Sequence, residues 1–227
     1  MKRVTAIVVA AGEGRRFGSP KQFALLRGRS VLDRALAAFE AHPLIADIVL
    51  VLPDEALGRR YLGTYSKISA AVRGGARRQD SVREGFSRVD PRRTDIVLIH
   101  DGARPLVTAA LIRRVIRAAE KDGAAVPALP LRDTVKKVAD GRVLRTLDRS
   151  SLVAVQTPQG FAYPILERAL ERARTDLFAG TDDASLVEHL GHDVAVVEGE
   201  PTNIKITTLL DLTLAEASLD DENRHRL

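Results

Sequence analysis

The residues best suited to chemistry lie between Ile7 and Phe23, where the chain reads Ile-Val-Val-Ala-Ala-Gly-Glu-Gly-Arg-Arg-Phe-Gly-Ser-Pro-Lys-Gln-Phe. The apolar start has the length of a buried strand. It opens into a long loop of glycines and cations. Gly12 and Gly14 lack a Cβ, so their backbone N–H groups can approach a ligand closely. Arg15, Arg16 and Lys21 place positive charge beside those donors. Backbone donors and cations at a strand end suit a polyphosphate. On this stretch alone an ordinary turn with solvated cations stays open. A dinucleotide-binding fingerprint does not fit, because position 17 is Phe and Pro20 interrupts the way to the next helix. A Walker loop fails too, since no Gly-Lys-Ser/Thr comes after it.

Further polar groups stand where other strands are expected to end. Gly74-Gly75 precedes Arg78 and Ser81, Asp101 closes an apolar run, and Lys205 sits inside one. Taken singly, Asp101 is as good a turn former and Lys205 as good an edge-strand lysine. Taken together, a carboxylate near cations and a glycine loop resembles a metal–polyphosphate site. One carboxylate plus phosphate oxygens is enough to hold Mg²⁺.

The elements that would position these groups are read from periodicity. Strands are expected at Val4–Ala11, Ile48–Leu52, Ile68–Val72, Ile96–Ile99, Ala124–Leu131, Leu152–Val155, Val194–Val197 and Ile204–Ile206. Helices are expected from Ser30 to His42 with Asp33 as capping partner, weakly up to Ser66, and then over Gln79–Val89 and Thr108–Lys121. Others should span Tyr163 to Arg174 and Asp183–His189, with a last one starting near Thr208. From Glu222 onward the tail should fray. Near-continuous apolar strands alternating with helices predict an α/β, Rossmann-like fold: a mostly parallel twisted sheet with helices on both faces. The rhythm breaks at Arg132. Thr134–Val138 and Arg142–Leu147 flank Asp140-Gly141, a hairpin signal. This ribbon has little apolar surface of its own, and a two-stranded ribbon is marginal alone. We therefore expect residues 132–150 to form a protruding β-arm used in dimerisation, the alternative being a hairpin folded on its own sheet.

Composition sets the outer limits. A chain of 227 residues with 45% hydrophobic and 4% aromatic residues suits one domain, 1–227, with an aliphatic core. The absence of Cys excludes thiolate catalysis and thiolate metal ligation. Apolar runs are strand-length and no signal peptide is visible, so a cytoplasmic protein with no membrane partner is expected. The net charge of +5 is compatible with nucleic-acid binding. The cations are dispersed, however, and aromatics for base stacking are few, so an anionic small substrate explains the charge as well and no nucleic-acid partner is expected.

Ala10-Ala11-Gly12-x-Gly14-x-Arg16-Phe17 with Pro20-Lys21-Gln22 resembles the signature of sugar-phosphate nucleotidyltransferases. Later pieces narrow the resemblance: Gly74-Gly75-x-x-Arg78-x-x-Ser81-Val82, His100-Asp101-x-Ala103-Arg104-Pro105, Arg132-Asp133-Thr134-x-Lys136, Asp148-Arg149, Gln156-Thr157-Pro158-Gln159, Thr181-Asp182-Asp183-Ala184 and Asn203-Ile204-Lys205. In this order they resemble the 2-C-methyl-D-erythritol 4-phosphate cytidylyltransferases over nearly the whole chain. The resemblance implies CMP transfer from CTP to the sugar-alcohol phosphate, with Mg²⁺ or another divalent metal, by direct in-line attack and release of pyrophosphate. It implies Arg16, Lys21 and Lys205 as catalytic cations and Asp101 as the metal ligand. Nucleotide contacts fall to Ala10, Ala11, Gly12, Gly14, Gly75 and Ser81. Sugar-phosphate contacts fall to Arg104, Thr134, Arg149, Thr157 and Thr181, with Thr134 and Arg149 supplied in trans by the arm of a homodimer. Bland roles compete: Thr157 in a turn, Thr181 near a helix cap, Arg149 paired with Asp148. Gly102 and Ala76 depart from the pattern, where Ala and in some relatives Asp are found; Gly102 is expected to loosen the turn after Asp101. The rivals are a ribitol-5-phosphate cytidylyltransferase and a non-catalytic nucleotide- or nucleic-acid-binding protein.

Overall fold

The computed structural model describes residues 2–14 and 17–224. Arg16 and the end of the expected frayed tail lie outside the described residues; Glu222 to Arg224 continue the last helix. In chain order the first elements are β1 (Val4–Val9), the short β2 (Leu25–Leu26) and β3 (Arg29–Ser30), and α1 (Val31–Ala41). Then come β4 (Ile45–Leu52), α2 (Gly58–Leu62), β5 (Ile68–Arg73), α3 (Arg78–Phe86), β6 (Ile96–Asp101), α4 (Ala109–Asp122) and β7 (Ala124–Pro130). The last are β8 (Lys136–Ala139), β9 (Arg142–Thr146), β10 (Val153–Val155), β11 (Gln159–Ala162), α5 (Tyr163–Thr175), α6 (Asp183–His189), β12 (Ala195–Glu198) and α7 (Leu209–Arg224).

An eight-stranded sheet forms the centre, ordered β10-β7-β11-β6-β1-β4-β5, with β12 pairing β7 in parallel. The run from β6 through β1 and β4 to β5 is parallel. Its strands therefore end on one side. Val9 is level with Val51 and Asp101, and Leu52 with Arg73, so the loops after all four strands meet there. Because β4 and β6 flank β1, the chain reverses its direction of travel across the sheet at this point, where ligands collect in such folds.

Strand alternation divides the core in two. Val4, Ala6 and Val8 face α1 and α4, packing with Leu32, Leu36, Phe39, Leu111 and Val115. Ile7, Val49 and Val51 face the other side, against Val82 of α3, Leu166 of α5 and Leu186 of α6. The start of α1 carries the cap that the sequence predicts, and a glycine closes α4. The Ser30 hydroxyl accepts the Asp33 N–H at 3.0 Å, and Gly123 ends α4 with φ +83°.

Four expectations are corrected. Residues 204–206 form no strand; the Ile204 N–H turns back to the Thr202 carbonyl (2.8 Å) and the Ile206 N–H donates to the Ala103 carbonyl (2.8 Å). The first strand stops at Val9, freeing Ala10 and Ala11 for the loop. The weak helix before Ser66 is one short turn-and-a-half, α2. Finally, β11 has no counterpart among the expected strands; it inserts antiparallel between β6 and β7. A four-residue strand with Gly160 inside it leaves little periodic trace. The hairpin β8–β9 forms its own two-stranded sheet, and every residue of it is exposed.

Helix α3 approaches the sheet through Gly85. A Cβ there would lie 2.6 Å from Ile7 Cγ2 and 2.8 Å from Val51 Cγ2. Gly85→Val is expected to cost about 2 kcal/mol or more, typical of overpacking. Urea unfolding should show a lower midpoint with an unchanged slope.

Candidate active site

The loops beyond β1, β4, β5 and β6 enclose a cavity of about 790 Å³. Of the residues singled out in the sequence, Ala10, Ala11, Gly12, Gly14, Lys21, Gly75, Ser81, Asp101 and Lys205 all line it. Backbone geometry explains the glycines. Gly14 has φ +68°, and a Cβ there would sit 2.0 Å from the Ser19 carbonyl oxygen. Its own carbonyl accepts the N–H groups of Phe17 (2.8 Å) and Gly18 (3.1 Å), which turns the loop back. Gln22 donates to the Gly12 carbonyl at 3.1 Å and pins the other end. Across the cavity, a Cβ at Gly75 would be 2.4 Å from Asp80 Cβ. The buried Ser81 hydroxyl accepts the Gly75 N–H at 3.1 Å, so it shapes this loop directly.

The charged groups form a chain at the cavity wall. Arg78 Nε donates to Asp101 Oδ1 at 3.0 Å, and its Nη1 lies 2.8 Å from Asp183 Oδ2. Lys205 Nζ lies 2.7 Å from Asp101 Oδ2. Burial alone would raise the Asp101 carboxyl, but Arg78 and Lys205 overcome it and hold the group well below the usual carboxylate range. Burial wins at Asp183, whose pKa is raised despite Arg78. Arg78 itself is disfavoured by burial yet raised by its two carboxylate partners.

Metal binding asks for a ready anion. No group of three or more His, Cys, Asp or Glu that could hold a metal exists among the described residues. Asp101 is an ionised carboxylate on the cavity wall, which fits a hard cation that takes its other ligands from phosphate oxygens. Both its oxygens are paired, Oδ1 with Arg78 and Oδ2 with Lys205, so a cation held there would share the carboxylate with these two side chains.

The expected sugar-phosphate residues lie elsewhere. Thr181 is exposed on the segment before α6, and Thr134 and Arg149 are exposed at the base of the arm. Arg149 donates to the Arg132 carbonyl. No bond joins it to Asp148, which instead caps its own turn through Ser150 N–H at 3.0 Å. Arg104 is half-buried, donating through Nη1 to the Asn203 carbonyl at 2.7 Å; burial lowers its pKa. Thr157 is buried. Its hydroxyl oxygen accepts the Asp101 N–H at 3.1 Å and faces His100 Nδ1 at 3.1 Å. The geometry thus makes Thr157 a support for Asp101. Gly102 does not loosen its turn: a Cβ there would crowd Ala10 Cβ and Leu32 Cδ1, each at 3.0 Å, and its N–H bonds the Val9 carbonyl at 2.8 Å. Ala76 lines the cavity without a carboxylate.

The sequence marks Arg78 as a polar group beyond a strand end but not its carboxylate partners, and gives no site role to Asp183, His100 or the glutamines at 79, 156 and 159. The Arg78–Asp183 pairing spans the fold and leaves no sequence periodicity.

Comparisons with known proteins point one way. The family described as IspD: 2-C-methyl-D-erythritol 4-phosphate cytidylyltransferase matches residues 4–221. A 2-C-methyl-D-erythritol 4-phosphate cytidylyltransferase of Symbiobacterium thermophilum is 47% identical, over 97% of this chain and 94% of the relative. Another, of Syntrophus aciditrophicus, is 48% identical over 97% of both. The crystal structure of the 4-diphosphocytidyl-2C-methyl-D-erythritol synthase from Anaerococcus prevotii superposes with a TM-score of 0.85 at 34% identity, covering 96% of this chain and 99% of that one.

His100 offers a test of this arrangement. Its Nε2 faces the Arg104 carbonyl at 3.2 Å and must donate. Its Nδ1 then accepts from Thr157, which fixes one neutral tautomer. Burial accordingly pushes the imidazole down to about 4 from 6.5. Between these values the unfolded chain takes up a proton that the folded one refuses, so stability falls as pH drops through this window and levels off below it. His100→Gln should show a shallower loss of urea midpoint between pH 6.5 and 4 than the parent.

Proposed function

The chain belongs to the 2-C-methyl-D-erythritol 4-phosphate cytidylyltransferase family, and on that premise we propose that it transfers the cytidylyl group of CTP to 2-C-methyl-D-erythritol 4-phosphate, forming 4-diphosphocytidyl-2-C-methyl-D-erythritol and releasing pyrophosphate. One observation carries the reading. Lys21, Lys205 and Asp101 come from distant parts of the chain yet line one cavity together with the Gly12–Gly14 and Gly74–Gly75 loops.

An oxygen of the sugar phosphate attacks the α-phosphorus of CTP. The bond from that phosphorus to the bridging oxygen breaks, and pyrophosphate leaves with the electron pair. No protein nucleophile is required, in keeping with the absence of Cys. The protein positions two anions and offsets charge on the in-line transition state. Lys21, with Arg16 from the same loop, neutralises the α-phosphate and the departing diphosphate. Lys205 joins the two reacting phosphates. Ala10 to Gly14 and Gly75 hold base and ribose largely through backbone atoms, with Ser81 bracing that wall. Asp101 would hold Mg²⁺ or another divalent cation with the triphosphate oxygens; the ion would supply further neutralisation of phosphate charge.

Thr181 completes the sugar-phosphate end, Thr157 and Arg104 support it, and Thr134 and Arg149 arrive from the arm of a second copy. The arm supports a homodimer because, among the described residues, its two strands pair only with each other. Val138, Val143 and Leu144 are 62%, 60% and 58% exposed, surface that a second copy would cover.

Three measurements test the reading. Pyrophosphate release is expected with CTP and 2-C-methyl-D-erythritol 4-phosphate; turnover of ribitol 5-phosphate instead would reassign the substrate, and CTP binding without turnover would mean a nucleotide sensor. Lys21→Ala should lower kcat by ~10²–10³ while the far-UV spectrum stays native. Mixed Lys21→Ala and Arg149→Ala subunits should regain activity after subunit exchange, because one of the two sites is then intact. Verified exchange without recovery would place Arg149 on its own subunit's site.

A further inference from the structure

Thr181 sits on residues 176–182, the irregular link from α5 to α6. The link has no strand pairing to hold its path. Leu177 is 90% exposed. Its start is tied to α5, where the N–H groups of Asp176, Leu177 and Phe178 donate to the carbonyls of Arg172, Arg174 and Ala173; beyond Phe178 two side-chain amides hold it. From inside the sheet, Gln159 donates to Asp182 Oδ2 at 2.8 Å and accepts the N–H groups of Asp183 (3.2 Å) and Ala184 (3.0 Å). From the nucleotide side, Gln79 donates through Nε2 to the Phe178 carbonyl at 3.1 Å and accepts the Gly180 N–H at 3.1 Å. This is a donor–acceptor pair on two main-chain groups, as a neighbouring strand would offer. The Phe178 ring is fixed further out by stacking on His189, with centroids 4.1 Å apart.

Gln79 is next to Arg78 in the first turn of α3, and Arg77, Arg78 and Ser81 of the same region line the nucleotide cavity. One rigid helix turn thus touches the nucleotide cavity on one side and grips the Thr181 link on the other. Among unbranched side chains of this length the amide alone offers a strong donor and a strong acceptor on one planar group: Glu only accepts when ionised, Lys only donates, and Met is at most a weak acceptor.

We propose that Gln79 is a positioning residue for the sugar-phosphate subsite, setting the distance between the Thr181 link and the nucleotide cavity. It touches no reacting atom. The proposal rests on the reading that Thr181 binds the sugar phosphate. Loss of both Gln79 bonds frees the middle of the link around Gly180, next to Thr181, so the sugar phosphate binds less tightly while the nucleotide end is unchanged.

The test compares Gln79→Met, Gln79→Ala and Thr181→Val with the parent full-length enzyme in steady-state pyrophosphate release. Both Gln79 variants should raise KM for 2-C-methyl-D-erythritol 4-phosphate ~10-fold and leave KM for CTP within about twofold. Hydrogen exchange at the Gly180 amide, which donates to Gln79, should quicken in both. A parental sugar-phosphate KM in Gln79→Met, alongside an impaired Thr181→Val, would overturn the proposal. So would an equal rise in both KM values. A parental KM in Thr181→Val would instead overturn the placement of the sugar phosphate at this link.

Discussion

The site depends on a guanidinium held between two carboxylates. Arg78 joins Asp101 of β6 to Asp183 of α6, and Lys205 closes the chain on the far oxygen of Asp101. Ions removed from water are tolerated only when paired and oriented, and breaking such a pair leaves an uncompensated charge inside the protein. Each member of this network therefore fixes the others. The end of β6, α3, the start of α6 and the segment 203–207 are tied together at these four charges. Two cations against two carboxylates leave little net charge in the cluster. Attraction for a polyphosphate comes from the cations around it, Lys21, Arg73 and Arg77 among those lining the cavity.

The stretch Gln156 to Gln159 organises the far side of the same site. Gln156 accepts the Glu200 N–H at 3.1 Å and donates to its carbonyl at 2.9 Å, holding the segment that leads to Lys205. Thr157 supports the backbone of Asp101, and Gln159 holds the start of α6. One short stretch thereby sets the directions from which a cation, a carboxylate and the Thr181 link approach. Neutral amides suit this work. They satisfy main-chain donors and acceptors in a buried place without adding charge to a cluster that is already balanced.

Much of this was legible in the sequence for a physical reason. Glycines constrained by backbone geometry, caps such as Ser30 and Gly123, and apolar runs of strand length leave local marks. So the parallel half of the sheet, the glycine loop, Lys21 and Asp101 could be read directly. Contacts between distant segments leave no such marks. The Arg78–Asp183 pair, the neutral His100 and the antiparallel β11 depend on which residues the fold brings together. Lys205 stands out in the sequence but reads as part of a strand, because a short apolar run looks the same in sequence whether or not it finds a strand partner. Thr157 reads as a ligand contact because a hydroxyl in a motif does not reveal which way it points.

The glutamine contacts carry one more consequence. Gln79 bonds only main-chain atoms, and Gln156 and Gln159 do so for most of their bonds. The attachment of each segment is thus largely indifferent to the side chains it carries. Mutation can revise what the enzyme accepts without loosening the frame that presents it, which makes this architecture well suited to evolving new acceptor preferences around an unchanged nucleotide chemistry.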